Sequence, residues 1–599
     1  MRKTFSLIII GILAFILFVL ANILAAWVGA HTIIDSTSEK QYTLSEKAVQ
    51  LAQNLPEPIT FRFYASEDLS DYDWNMGGYA AKIVGLLNRY QLAAPDKIKL
   101  EIYRVKSSSE TERQAVKDGI LPLNGEEQDY FFGLQVKSKD KQMSIPSFNP
   151  ARGNLVEADL QRILIAITEK NPTVVGIVSP KLPLWSEGDR NPAPILMSTL
   201  KEYYTVAKVN PTEDNISQKI DVLLVVYPTE LSSVFAYALD QYVMRGGKVI
   251  FVVDPYSELQ HRLQGYPPRP DEEMKDYLQK WGIDYHFDYV VGNSHTAEKI
   301  KDNEGKRYLY PLWFFGKSED GKNLHFRTAG ELKILNSDAF DYKILATSGK
   351  QSGKVNVSAI RYAPKTEAAA AYMQDNQDKI IALSVKGKFN SHYYKNILAG
   401  TDSEKNVQPY MPFSLEDTEI SVIADSDFLA DESWVLSYNE QNPVYGYQPY
   451  ADNILFLTEQ IDRLSGKISS DQKKSSFKMY NIAEVLYQKS ALRRQTEREK
   501  AENAEAKSSA YLKKLQSRKH NSEDVAFRKI LSEAEQQYDT DTRNLQNINR
   551  QITDEADRSL WTMLLANLLV YPLLMLLLIT VTVLGKRWCF KKKMQKREM

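Results

Sequence analysis

The chain has 599 residues, a formal net charge of -1 and a single cysteine. A hydrophobic fraction of 43% and a charged fraction of 25% exclude a wholly disordered polymer, and the length implies about three to five structural units at roughly 100–200 residues each. The mean hydropathy of -0.39 reads as soluble, but it averages over an uneven distribution.

Residues 5–28 and 560–584 carry no charge. As helices rising about 1.5 Å per residue, each would reach ~36 Å, enough for a hydrocarbon core of roughly 30 Å. Both read as transmembrane helices. The tails that flank them, residues 1–4 and 585–599, hold nine basic residues and one acidic: Arg2 and Lys3, then Lys586, Arg587, Lys591, Lys592, Lys593, Lys596 and Arg597 with Glu598. The rest of the chain has 66 basic and 75 acidic residues. Basic flanks face the cytoplasm, so the pattern predicts two passes, cytoplasmic tails, and residues 31–559 on the far side. A short basic tail beside a span suits anionic lipid headgroups better than nucleic acid. Val28-Gly29-Ala30 resembles a cleavage site, but an uncharged stretch of 24 residues exceeds the usual h-region of about 7–15, which favours an uncleaved anchor. Cys589 lies in the basic tail, so the external body is expected to have no intrachain disulfide.

After a polar linker, Ser45 is placed to cap a helix carrying Ala48, Val49, Leu51 and Ala52, which Pro56-Glu57-Pro58 ends. The periodicity then predicts a strand at 59–64, a helix at 79–92, a strand at 98–105, a short helix at 110–118, a hairpin of 130–136 with 142–145, and a helix at 156–168. That β-α-β-α-β-β-α order suits a thioredoxin-like α/β unit over residues 31–170. Without Cys-x-x-Cys, its redox chemistry is not expected.

Strands follow at 173–179, 205–209, 221–227 and 248–253, with helices at 195–202 and 232–245. The unbroken apolar run 221–227 fits a buried parallel strand, and Gly246-Gly247 ends the second helix. Residues 171–465 therefore read as a doubly wound α/β region with insertions. In such sheets ligands sit beyond the strand carboxyl ends, which singles out Asp254, the residue before Pro255. A helix at 271–281 and strands at 285–291, 308–315, 344–347, 380–385 and 419–424 come next; the last runs into Asp425-Ser426-Asp427. A helix at 453–464 closes the region. Residues 471–558 are highly charged and almost free of Gly and Pro, as expected of a helical hairpin or stalk with helices near 480–518 and 523–558. The repeat is too irregular for a regular coiled coil.

The search for chemistry returns little. The seven histidines, at 31, 261, 286, 295, 325, 392 and 520, show no His-Glu-x-x-His spacing and read as scattered surface residues. Residues 316–323 approach a phosphate loop, but Asn323 replaces the Ser/Thr that would hold magnesium, Glu319 and Asp320 would repel phosphate, and the flanks read as two strands around a turn. Asp425-Ser426-Asp427 is not an EF-hand start, since Ala430 and Leu436 stand at its sixth and twelfth places. No Gly-x-Ser-x-Gly elbow occurs. Arg152, Asp189 and Arg190 are candidate pocket residues. No catalytic, cofactor or metal residue is assigned.

Residues Asp35-Ser36-Thr37-Ser38-Glu39-Lys40-Gln41-Tyr42-Thr43-Leu44-Ser45, followed by Glu57-Pro58-Ile59-Thr60, resemble the opening of GldG-type proteins, auxiliary components of bacterial ABC transporters. Glu157-Ala158-Asp159-Leu160-Gln161-Arg162, Gly246-Gly247-Lys248-Val249-Ile250, Trp281-Gly282-Ile283, Ala346-Thr347-Ser348, Gly387-Lys388-Phe389 and Ala424-Asp425-Ser426-Asp427-Phe428-Leu429 fit in order. The resemblance implies a non-catalytic subunit in the bacterial inner membrane, working with a multi-span permease and a separate ABC ATPase, with a periplasmic substrate or envelope partner in reach. It also implies an α/β domain similar to the class I amidotransferase fold. There a nucleophilic cysteine follows the strand that here ends at Asp254-Pro255, and a carboxylate cannot do thiolate chemistry. The competing expectations are a membrane-tethered hydrolase using carboxylates near Asp254 and a passive envelope scaffold without an ATPase.

Overall fold

The computed structural model describes residues 44–466, apart from 74–75, 126–127, 187, 266–271, 303, 336–337 and 398–408, and a discontinuous set between 494 and 562. Both uncharged stretches fall outside it, except Thr562. Among the described residues no helix is long and apolar enough to cross a membrane. The described residues up to Gly466 belong to one compact unit and those from Arg494 onward to a second.

The first unit opens with helix α1 (Glu46–Gln53), whose cap is Ser45: the Ser45 side chain accepts the Ala48 N–H. Strand β1 (Ile59–Ser66), helix α2 (Met76–Ala93), strand β2 (Ile98–Val105), helix α3 (Glu110–Lys117), strands β3 (Asp129–Lys137) and β4 (Gln142–Ile145), and helix α4 (Val156–Thr168) follow. The sheet order is β2-β1-β3-β4, with β1 parallel to β2 and the other two pairs antiparallel. Phe63, Tyr79, Phe132 and Phe148 pack as tilted and edge-on rings in its core, the arrangement the ring quadrupole favours.

A larger sheet has a parallel centre of β5 (Val174–Val178), β6 (Thr205–Lys208), β7 (Val222–Val226), β8 (Lys248–Val252) and a strand much later in the chain, Thr418–Ile423. Their spatial order is β6-β5-β7-β8-(418–423), every pair parallel. That is the 2-1-3-4-5 order of doubly wound sheets. Alternation along β7 sorts the two faces. Val222, Leu224 and Val226 join the core under helices α5 (Pro194–Tyr203) and Asn453–Ser465. Leu223 and Val225 join the core under α6 (Ser233–Met244) and the helix Glu272–Lys280. Each such buried aliphatic side chain stabilises by about 1.5–3 kcal/mol. Gly246, at φ +88°, ends α6 as expected.

Antiparallel strands extend the sheet beyond Thr418–Ile423: Ile380–Gly387 pairs with it, then Asp341–Thr347, Arg307–Ser318 and Ala297–Lys301. The strand expected at 285–291 is instead two, Ile283–His286 and Tyr289–Asn293, which pair with Glu331–Ile334 and Ser352–Asn356. Burial alternates at Ile283 and Tyr285 but is consecutive at Val290 and Val291. The chain changes face and sheet between them.

Helix α4 is buried on several sides because it lies between the two sheets' layers. The Ser45 N–H donates to Glu157 Oε1 (2.9 Å), while Arg162 donates to Tyr204 Oη (3.0 Å) and Thr458 Oγ1 (2.6 Å) and sits 3.2 Å from Asp462. In the second unit, helix Gln495–Gln516 falls within the expected stalk. Arg494 bonds Glu555 and Gln551, bringing two distant helical stretches together.

Candidate functional site

Parallel pairing of Val252 with Ile423 brings Asp254 and Asp425 level, each two residues beyond a paired strand residue. Asp427 joins them from the turn that follows. One carboxylate oxygen from each lies within 4.8 Å of the others, and all three side chains are buried. This is the group among the described residues that could hold a metal ion.

Donors surround it. Asp254 accepts the Tyr256 N–H (2.8 Å) on one oxygen and the Ser426 N–H (2.8 Å) and Oγ–H (2.7 Å) on the other. Asp425 accepts the Arg327 (2.7 Å) and Phe428 (3.0 Å) N–H groups. Asp427 accepts the Ser257 Oγ–H (2.9 Å) and the Glu258 (2.7 Å) and Leu259 (3.0 Å) N–H groups. Burial pushes all three acids up, and their mutual repulsion adds to it for Asp254 and Asp425. For Asp427, burial first and then the Glu258 charge raise the group to about 7.

The backbone near the cluster is strained. Tyr227, directly after β7, has φ +46° and Thr328 has +50°. Positive φ is unfavourable for bulky and β-branched residues, at roughly 1–3 kcal/mol each. Thr328 is held there by its hydroxyl, which donates to the Tyr256 carbonyl at 2.7 Å, and by Arg327 N–H on Asp425.

The other singled-out residues do not join this site. Arg152 is buried against Asp159, donating to both its oxygens at 2.9 and 2.7 Å, and its guanidinium lies 4.0 Å over the Tyr447 ring. Arg190 is exposed, and the Asp189 side chain is outside the described set. The phosphate-loop-like segment is a hairpin turn between Arg307–Ser318 and Asn323–Arg327. Its Lys322 is buried and paired with Glu459 (2.6 Å) and Asp320. The surface reading of the histidines fails at His325, which is 0% exposed and 3.1 Å from Glu298, without a well-aligned hydrogen bond. Glu298 sits beside a register irregularity in the pairing of Ala297–Lys301 with Arg307–Ser318. No pattern of spacing marked Ser257 or Arg327, which reach the cluster from separate elements.

The cluster's two serine hydroxyls, on Ser257 and Ser426, donate to the Asp427 and Asp254 carboxylates, and Asp254, Asp425 and Asp427 lie at 2%, 0% and 2% exposure. Charged, the cluster can hold a cation; protonated, it can lock two strand ends together.

Residues 172–459 match the family described as an ABC-type uncharacterized transport system. Over that stretch the chain is similar to an auxiliary component of ABC transport. Residues 38–137 match a domain of unknown function, DUF7088. No curated protein matches the chain. Among solved structures, similarity is found to the mmIFT52 N-terminal domain at 10% identity and a TM-score of 0.28, covering 49% of this chain and 97% of that one. A β-galactosidase from the Antarctic haloarchaeon Halorubrum lacusprofundi aligns at 12% identity and a TM-score of 0.22, covering 52% of this chain and 34% of its own. The exo-β-1,4-mannosidase Op5Man5 from Opitutaceae bacterium strain TAV5 aligns at 10% and 0.19, covering 60% and 46%. Similarities this low carry neither a fold nor an activity to this chain.

Proposed function

We propose that the protein is a non-catalytic, membrane-anchored auxiliary subunit of an ABC transporter of the GldG type, working with a separate permease and a separate ATPase. The observation that carries this reading is the family match over residues 172–459. The uncharged stretches at 5–28 and 560–584, each bordered by basic residues, support a two-pass anchor in a bacterial inner membrane with both termini cytoplasmic. The α/β body then stands outside the cytoplasm, and residues 471–558 lie between it and the second span in the sequence. The order β2-β1-β3-β4 favours a thioredoxin-like frame for the first sheet, and 2-1-3-4-5 suits an amidotransferase-like frame for the second. Neither carries the cysteine that such chemistry needs, which favours a binding or scaffolding role.

Purification from membranes in mild detergent tests the reading. The tagged chain should bring down an ABC ATPase and a multi-span permease in fixed ratio. Recovery of the chain without either would sink it. A reporter fused near residue 300 should be active only outside the cytoplasm.

A further inference from the structure

The first unit holds two α/β modules, one on the sheet β2-β1-β3-β4 and one on the larger sheet, joined in sequence by residues 169–173. Helix α4 packs against strands β3 and β4 of its own module and meets the second module through polar groups. In the middle of α4, Arg162 donates to Tyr204 Oη (3.0 Å), just after α5, and to Thr458 Oγ1 (2.6 Å) on the helix Asn453–Ser465. It also lies 3.2 Å from Asp462 on that helix, and Tyr204 Oη donates to the other Asp462 oxygen at 2.6 Å. This clamp sets a cation of one module against an acid of the other.

A second clamp lies in the segment that leads into α4. The Asn442 side-chain amide donates to Ser147 Oγ at 3.0 Å. The Arg152 guanidinium, held by both Asp159 oxygens, lies 4.0 Å over the Tyr447 ring. Ser147 and Arg152 precede α4, whereas Asn442 and Tyr447 belong to the second module. Between the clamps Leu155 enters the core of the larger sheet. The side chains of both clamps are buried.

A polar seam between two modules ordinarily permits relative motion, and a single attachment would let them pivot about it. Here the attachments are spaced. Arg152 and Arg162 stand ten residues apart, about 15 Å along a helical path at about 1.5 Å per residue. A rotation that keeps one clamp closed pulls the other open, and the short link at 169–173 is a third attachment. Opening the first clamp also parts Arg162 from Asp462, and a buried charge is costly once its partner is gone. We propose that the seam is a two-point lock that makes the two α/β modules move as one rigid body. A displacement arriving near Ser45 then passes to the larger sheet and is not absorbed by rotation between modules. Only the source of that displacement rests on the transport reading above.

The test uses the full-length chain in detergent. Cys589→Ser removes the one cysteine, so spin labels at Val116→Cys and Leu436→Cys, both exposed and one in each module, report a single distance. Double electron–electron resonance should give one narrow distribution. Asn442→Ala combined with Arg162→Met and Asp462→Leu weakens both clamps and should widen it at least twofold. Asn442→Ala alone removes no charge and keeps the Arg162 clamp; it should widen the distribution by a smaller, measurable amount, and it carries the test if the combined variant does not fold. A broad or two-peaked distribution in the parent, or variants as narrow as the parent, overturns the lock. Because the measurement needs no partner subunit, its failure would leave the transport reading standing, and failed co-purification would leave the lock standing.

Discussion

Asp254 and Ser426 lock the ends of two neighbouring parallel strands together: one carboxylate oxygen of Asp254 takes both the backbone N–H of Ser426 at 2.8 Å and its hydroxyl at 2.7 Å. The residues are 172 positions apart in sequence. A hydrogen bond of this kind contributes about 0.5–1.5 kcal/mol net. Ser426→Ala should lower unfolding stability by that amount in urea, while Ser426→Thr should recover part of it. An Ala variant as stable as the parent would show the hydroxyl bond to be idle.

Arg162 and Asp462 tie helix α4 to the last helix of the first unit, with side chains only 5% and 3% exposed. Removing one partner leaves the other charge buried and unpaired, at about 3–5 kcal/mol. Arg162→Met should therefore destabilise strongly, and adding Asp462→Leu should restore most of the loss. Denaturation midpoints of the two single variants and the double variant measure this directly. Additive losses would mean the two residues act independently.

Asp431 accepts the Ile195 N–H at 2.7 Å and the Leu196 N–H at 3.2 Å, near the start of α5. Burial raises its carboxyl to about 7, against about 3.9 for an unfolded chain. The folded protein keeps a proton that the unfolded one has released between those values. This contribution is full below about pH 4 and is lost as pH rises through about 7. Asp431→Asn should flatten stability between pH 5 and 8, read from urea midpoints across that range. A slope identical to the parent's would count against the assignment.

His325 has the opposite sign. Burial, the largest effect, holds its ring below the ordinary 6.5; Glu298 opposes this and Arg327 adds to it. The unfolded chain then binds the proton more readily, so stability is lost as pH falls below about 6.5. His325→Phe should shrink the loss between pH 7.5 and 5.5. Thermal melts at the two values decide it, and a loss as large as the parent's would exclude His325 as its source.

Local patterns were legible where one segment answers to one chemical demand. Ser45 caps α1 because its hydroxyl can reach the Ala48 N–H, and α4 spans Val156–Thr168 as its periodicity implies. The turn at 319–322 was legible because two apolar runs flank polar residues with Gly321 at φ +81°. The break between Ile283–His286 and Tyr289–Asn293 was not, because both halves are equally apolar and only their partners differ. His325 was misread because burial of a polar ring depends on Glu298 and Tyr450, which come from distant segments.

The sequence by itself determined the uncharged stretches, the basic tails, the cysteine-free body, most helices and strands up to residue 253, and the placing of Asp254 and of Asp425-Ser426-Asp427 after strands. Each follows from composition or from a period of two or 3.6 residues. Tertiary structure alone decided that Asp254 meets Asp425 and Asp427. Reading outward from Asp425 along the chain does not find Asp254, which comes from the neighbouring strand, whose place is set by parallel pairing of Val252 with Ile423. Strand order brings together residues that spacing along the chain keeps apart.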